Sequence, residues 1–294
     1  VGLLCNAEVD FVDIDSETYN MCSTALSMKL RDAEKNGKLP KIVMPVHFAG
    51  QSCDMINIKK LSEKYGFKII EDASHAIGGV YKNTKIGSCK FSDITVFSFH
   101  PVKIITTAEG GCATTNDENI FEKLKLLSSH GVTRNPKNMV KKTLDKWVYD
   151  QISIGFNYRM SDLNAALGLS QLLRIDSFIN KRNKIAKKYF QQLKNLDLKL
   201  PKQEDYNSSA LHLFPIQVNN RKKIYNLLHR NDIKVNVHYR PIHTQPFWQN
   251  RGFKFGLFPT SELYYSKAIS LPIFYDLNDE MQDCVINVLQ KSCL

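Results

Sequence analysis

Short apolar runs alternating with amphipathic stretches fill the first two-thirds of the chain. Lys41-Ile42-Val43-Met44-Pro45-Val46 is a compact apolar run that predicts a buried strand, and residues 47–51 read as the turn after it. Over residues 55–65 the candidate core positions Ile56, Ile58, Leu61 and Tyr65 recur at helical spacing, and Gly66 stands where a glycine commonly ends a helix. Phe67-Lys68-Ile69-Ile70 predicts the next strand. Strand, helix, strand is the rhythm of a mostly parallel sheet with helices on its faces, and so of an α/β fold.

Residues 94–99 predict a further strand, Gly110-Gly111 a turn, 112–115 a return strand and 120–127 a helix. Residues 131–150 have weak periodicity and several lysines, which predicts an exposed loop. A helical pattern runs from Ser161 to about Leu193, with Ser161 as N-cap and Asp162 complementing the helix dipole. Residues 9–13 read as a strand already under way, and the chain opens on Val1 rather than Met, which suggests a chain that begins inside a domain. Residues 196–209 are polar and hold Pro201, so a boundary is expected there, between a large domain (1–195) and a smaller one (196–294). In the smaller domain, 210–218 and 233–239 predict strands, and 224–229 and 278–289 predict helices.

Composition narrows the function classes. No apolar stretch in the 294 residues approaches the roughly 18 needed to cross a bilayer, and the first residues are too short for a signal peptide, so a cytoplasmic location is the default expectation. Seven scattered cysteines, none in a C-x-x-C pair, argue against a disulfide framework or a zinc site. The net charge of +11 suits an anionic partner, but the basic residues are spread out and no helix-turn-helix, zinc-finger or RNA-binding signature accompanies them. A solvated basic surface, or a phosphate-bearing small molecule, fits better than nucleic acid.

Two loops carry the candidate chemistry. Glu71-Asp72-Ala73-Ser74-His75 follows one apolar strand, and Ser98-Phe99-His100-Pro101-Val102-Lys103 follows another. In an open α/β sheet, ligands bind beyond the carboxyl ends of the strands. Singly, an acid there is a helix cap and a lysine a solvated charge. Together they match what pyridoxal 5′-phosphate (PLP) requires: an amine for its aldehyde, a carboxylate for its ring nitrogen, and hydroxyls for its phosphate.

These segments resemble the sugar aminotransferase family, fold-type I PLP enzymes acting on nucleotide-linked keto sugars. The resemblance rests on Glu71-Asp72-Ala73-Ser74-His75-Ala76, Phe97-Ser98-Phe99-His100-Pro101-Val102-Lys103 and Glu109-Gly110-Gly111 in combination. Further matches are residues 45–50, Ser129-His130-Gly131, 155–162 and Val237-His238-Tyr239-Arg240-Pro241. It implies that Lys103 is the Schiff-base lysine and proton carrier, and that Asp72 binds the pyridinium nitrogen. Ser74 would lie against one ring face, His75 near the phenolic oxygen, and Ser98 on the phosphate. Asn157 would reach the same phosphate from a neighbouring subunit, giving a homodimer with shared sites. Gly110 and Gly111 would let the backbone pass close to the lysine loop. His100 and the loop His238-Tyr239-Arg240, with His243, would line the sugar-nucleotide pocket.

Residue by residue, Asn157 also reads as a turn cap, and His100, His238, Tyr158 and Tyr239 as packing or surface residues. Lysine rather than histidine at 103 points to transamination over the dehydrating branch of the family. The motifs look most like enzymes that aminate a UDP-linked 4-keto-6-deoxy-N-acetylhexosamine for pseudaminic acid synthesis, with glutamate as amino donor. The rivals are amination of another keto sugar or a cyclitol, an inactive relative acting as a binding subunit, and a basic nucleic-acid-binding protein. One departure stands out: the family's phosphate-binding small-residue motif and ring-covering aromatic have no counterpart before Val9, so weak PLP binding is expected of the sequence as it stands.

Overall fold

The computed structural model of the chain describes residues 1–140, 145 and 147–292. The first part holds helix α1 (Ser23–Lys35), strand β1 (Ile42–Val43), α2 (Met55–Tyr65) and β2 (Lys68–Asp72). A hairpin of β3 (Val80–Tyr81) and β4 (Thr84–Lys85) follows, then β5 (Ile94–Ser98), β6 (Gly111–Thr114) and α3 (Glu118–Ser128). Strands β1, β2, β5 and β6 form one sheet in that order; β1, β2 and β5 run parallel and β6 returns antiparallel. The expected mostly parallel α/β arrangement is therefore present.

Alternation along the strands sets two unlike faces. Ile69 and Glu71 of β2 and Thr95 and Phe97 of β5 are buried, and Ile69 joins Ile58, Phe67, Leu26 and Leu30 in a core with α1 and α2. On the other face, Ile42, Met44, Val46 and Val96 are exposed. Helix α2 matches its expected span, capped by Asp54 and ended by left-handed Gly66. Helix α3 begins at its Asp117 cap, which accepts the amides of Asn119 and Ile120.

Between the halves lie a short hairpin, β7 (Val132–Thr133) with β8 (Asp150–Gln151), and helices α4 (Asp162–Leu172) and α5 (Ile175–Leu193). Part of the loop expected at 131–150 falls outside the described residues; the hairpin closes its two ends. The single helix expected over 161–193 is two, broken at Leu173-Arg174. Their apolar stripes differ in purpose: Phe178, Ile179, Ile185, Ala186, Tyr189 and Leu193 of α5 are buried, whereas Leu163, Leu169 and Leu172 of α4 are exposed.

The last part comprises β9 (Leu198–Lys199), β10 (Asn207–Ser208), β11 (Phe214–Val218), α6 (Arg221–Arg230), α7 (Pro246–Gln249), α8 (Pro259–Lys267), β12 (Ala268–Leu271) and α9 (Asp279–Gln290). Strands β12, β11 and β9 form an antiparallel sheet under α5, α6 and α9, around Tyr189, Phe214, Ile216, Leu228, Ile269 and Leu289. Neither 9–13 nor 233–239 forms a strand: only one isolated bridge forms just beyond the first, Ile14↔Met21, and one in the middle of the second, Asn236↔Ser270. Residues 201–209 lie on the first part, where β10 pairs with β3 and Gln51 donates to the Lys202 carbonyl. Among the described residues no helix is long and apolar enough to cross a membrane.

Candidate active site

The strand ends deliver Asp72 and Ser98 to the same edge of the sheet, since Asp72 pairs with Val96 and β5 ends two residues later. The Asp72 carboxylate accepts the Ser74 amide at 3.0 Å, which turns the chain ahead of the buried His75. The lysine loop after β5 is tightly closed. Phe99 donates its amide to Gly110 O (2.8 Å), its carbonyl accepts the Thr107 amide (3.0 Å), and Lys103 donates its amide to His100 O (2.9 Å). A Cβ on Gly110 would lie 2.3 Å from Thr107 Oγ1, and one on Gly111 2.5 Å from Phe97 O, so these glycines do let the backbones close around the lysine. Helix α4 clamps the loop from outside: Asn164 donates to the Thr107 carbonyl (2.5 Å), and Gln171 Oε1 accepts the Thr106 amide (2.8 Å).

Lys103, Asp72, His75 and His238 form one electrostatic cluster. Burial holds the Lys103 ammonium below its ordinary range while the Asp72 charge opposes the shift. Burial first, then Lys103, push His75 down to about 4, and Asp72 pulls the other way. Burial and Lys103 likewise lower His238. The Tyr239 hydroxyl lies 3.4 Å from His75 Nε2, and His238 Nδ1 pairs with Ser270 Oγ at 2.8 Å. Phe48 packs edge-on to Tyr239, with ring centroids 6.2 Å apart.

The remaining expected residues are more dispersed. Ser98 Oγ and the His100 amide are 3.5 Å apart, and His100 Nε2 lies 3.9 Å from Glu109 Oε1. Arg240 is exposed and bound to Thr244, and His243 is buried against Glu262 at 2.7 Å. Asn157 is not brought to the cluster; it is exposed and its backbone bridges Ser129, while the rings of its neighbours Phe156 and Tyr158 stack on each other.

One residue of the cluster escaped sequence reasoning. His212 is buried with its ring 4.4 Å from that of His75, and burial, His75, Arg182, Lys103 and His238 push it down to about 2. Arg182 of α5 holds this segment by donating to the carbonyls of Leu211 (3.1 Å), His212 (3.3 Å) and Ile273 (2.8 Å). No local pattern marks His212, because the contact is made by docking residues 210–213 on the loop 49–50, where Ala210 donates to Gly50 O at 3.0 Å. The Nδ1 atoms of His75 and His212 are both buried without a hydrogen-bond partner. Such atoms at a site call for a ligand group or an ordered water.

A partly desolvated amine, a carboxylate within electrostatic reach, unpartnered imidazoles and a hydroxyl at a neighbouring strand end form a donor set that fits PLP. Among the described residues no cluster of histidine, cysteine or carboxylate could hold a metal ion.

Comparison with known proteins agrees with this chemistry. The model of the DegT/DnrJ/EryC1/StrS aminotransferase family matches residues 2–290. A UDP-4-amino-4,6-dideoxy-N-acetyl-beta-L-altrosamine transaminase from Campylobacter jejuni is 35% identical over 301 residues, covering 99% of this chain and 76% of that protein. Among solved structures, Helicobacter pylori PseC, an aminotransferase involved in the biosynthesis of pseudoaminic acid, superposes with a TM-score of 0.87 at 32% identity, covering 98% of this chain and 74% of that one. Spr1654 from Streptococcus pneumoniae, a sugar aminotransferase by description, superposes in its PMP form with a TM-score of 0.85 at 28% identity, over 97% of this chain and 76% of that one.

Proposed function

The chain belongs to the DegT/DnrJ/EryC1/StrS aminotransferase family, and on that premise we propose that it is a PLP-dependent enzyme that moves an amino group from glutamate to a UDP-linked 4-keto-6-deoxy-N-acetylhexosamine. The observation that carries the cofactor reading is the Lys103–Asp72 pair at neighbouring strand ends. The substrate reading is supported by the C. jejuni transaminase and by PseC. A cytoplasmic location goes with such a substrate.

PLP supplies, when bound, an electrophilic aldehyde carbon and an electron-withdrawing ring. Asp72 would hold the ring nitrogen in its protonated form, and Ser74, turned by the hydrogen bond from its amide to the Asp72 carboxylate, would lie against the ring. Lys103 Nζ must be free of its extra proton to attack carbon or accept a proton, and burial favours that neutral amine. Lys103 Nζ then takes the proton from the donor's α-carbon and, in the second half, delivers one to the sugar carbon that receives nitrogen. His75, kept neutral, presents a hydrogen-bonding ring nitrogen without adding charge beside that amine. Ser98 would bond the phosphate, and Asn157, exposed in its own subunit, would reach the same group in a second copy of the chain. His100, His238, Tyr239 and Arg240 line the approach of the sugar nucleotide, and the net charge of +11 favours its diphosphate.

Substitution tests the reading. Lys103→Ala is expected to remove both amino transfer and the visible absorption of the lysine-bound cofactor while the protein melts as before. Amination of a keto-sugar panel at the normal rate by that variant would contradict it.

A further inference from the structure

Strands β1 and β2 pair at Ile42↔Lys68 and Val43↔Ile69, lapse, and meet again in the single isolated bridge Val46↔Asp72. Pro45, which has no N–H, lies in the gap. At the bridge Asp72 donates its amide to Pro45 O at 2.9 Å, and His47 donates its amide to Asp72 O at 3.0 Å. The residue read as holding the cofactor's nitrogen therefore stands at the end of an interrupted ladder, held on that side by two backbone bonds past the gap.

The His47 side chain closes this weak point. Its ring is fully buried, 0% exposed. The Cys53 amide donates to Nδ1 at 3.1 Å, which leaves the ring proton on Nε2. Nε2–H donates in turn to Glu71 Oε2 at 2.6 Å. Glu71 lies beside Asp72 on the opposite face of β2, and its other oxygen accepts the hydroxyls of Ser92 and, at 3.1 Å, Thr95. Burial raises the Glu71 carboxyl, but these donors outweigh it and hold it below the ordinary carboxylate range. Main chain and ring of one residue thus grip both neighbours at the end of β2.

We propose that His47 is a positioning residue for the Asp72 carboxylate, its ring acting as a latch from Cys53 to Glu71 that fixes residue 72 at the end of the interrupted ladder. The inference rests on the reading of Asp72 as holder of the ring nitrogen. The test is titration of the cofactor-free full chain with pyridoxal phosphate, followed by absorbance, with each variant's melting temperature measured alongside. His47→Gln places an amide donor where Nε2 stood and keeps the bond to Glu71. His47→Asn keeps an acceptor for the Cys53 amide but falls short of Glu71.

His47→Gln is expected to stay within about threefold of the parent affinity and His47→Asn to lose roughly tenfold or more, at equal melting temperatures, since a hydrogen bond to a charged group is of that size. Equal affinities for the two variants, both retained or both lost, would overturn the latch. Asp72→Asn separates the two readings: if it binds as the parent does, the assignment of Asp72 itself fails, whatever His47 does. Independently of any variant, nitrogen NMR of the parent protein is expected to show the His47 proton on Nε2 alone. A proton on Nδ1 would also overturn the proposal.

Discussion

Burial and the Lys103 charge hold the His75 imidazole at about 4, while an unfolded chain leaves it near 6.5, the ordinary histidine value. Its folded pKa is the depressed one, so between those values the unfolded chain binds more protons. The stability this neutral ring contributes is complete above about pH 6.5 and is lost as pH falls toward 4. At pH 5 the loss from this one group reaches about 2 kcal/mol. His75→Gln is expected to flatten the fall in denaturation free energy between pH 7 and pH 5 by that order. An unchanged slope would show that the ring is not held neutral. That Asp72 and the loop holding Lys103 come at strand ends was legible in the sequence because each follows a compact apolar run, where a sheet offers its ligands. His212 was not, since its place depends on the carbonyl contacts of Arg182 and on the approach to Gly50, both remote in sequence.

At the scale of elements, local signals did well where caps and periodicity agreed. Asp54 and Gly66 bound α2 at the expected residues, and Asp117 starts α3. The long pattern over 161–193 misled because apolar spacing continues across the break while the surfaces served do not: α4 grips the lysine loop through Asn164 and Gln171, and α5 turns its stripe to the second core. The approach at residue 50 joins the site's two sides. Gly50 has φ of 105°, and a Cβ there would lie 2.6 Å from Leu211 N and 3.0 Å from His75 O. Gly50→Ala is expected to destabilise the chain by roughly 1–3 kcal/mol and to part His212 from His75. Thermal melting and histidine NMR check both; a melt within a degree of the parent would show the contact to be slack.

Across the whole molecule, the buried cores leave much apolar surface exposed. Leu163 and Leu173 are 85% and 90% exposed, and Ile154, Phe156 and Tyr158 lie exposed near them in sequence. Exposed apolar side chains grouped in this way fit the shared face of the proposed dimer, and they flank Asn157, the residue proposed to reach a neighbour's phosphate. Leu163→Glu with Leu173→Glu is expected to shift sedimenting dimers to monomers and to lower cofactor affinity with them. Dimers that persist would place the shared face elsewhere. The mostly parallel sheet was readable because parallel strands announce themselves as apolar runs, whereas how the two parts dock depends on contacts no window of sequence contains.

The claim beneath all of this is that Lys103 is the amine that meets the cofactor's aldehyde. Borohydride reduction of the protein saturated with pyridoxal phosphate, followed by peptide mapping, tests it most directly. The expected result is one stable adduct, on Lys103, that is absent from Lys103→Ala. An adduct on another lysine, or one that survives the substitution, would contradict it.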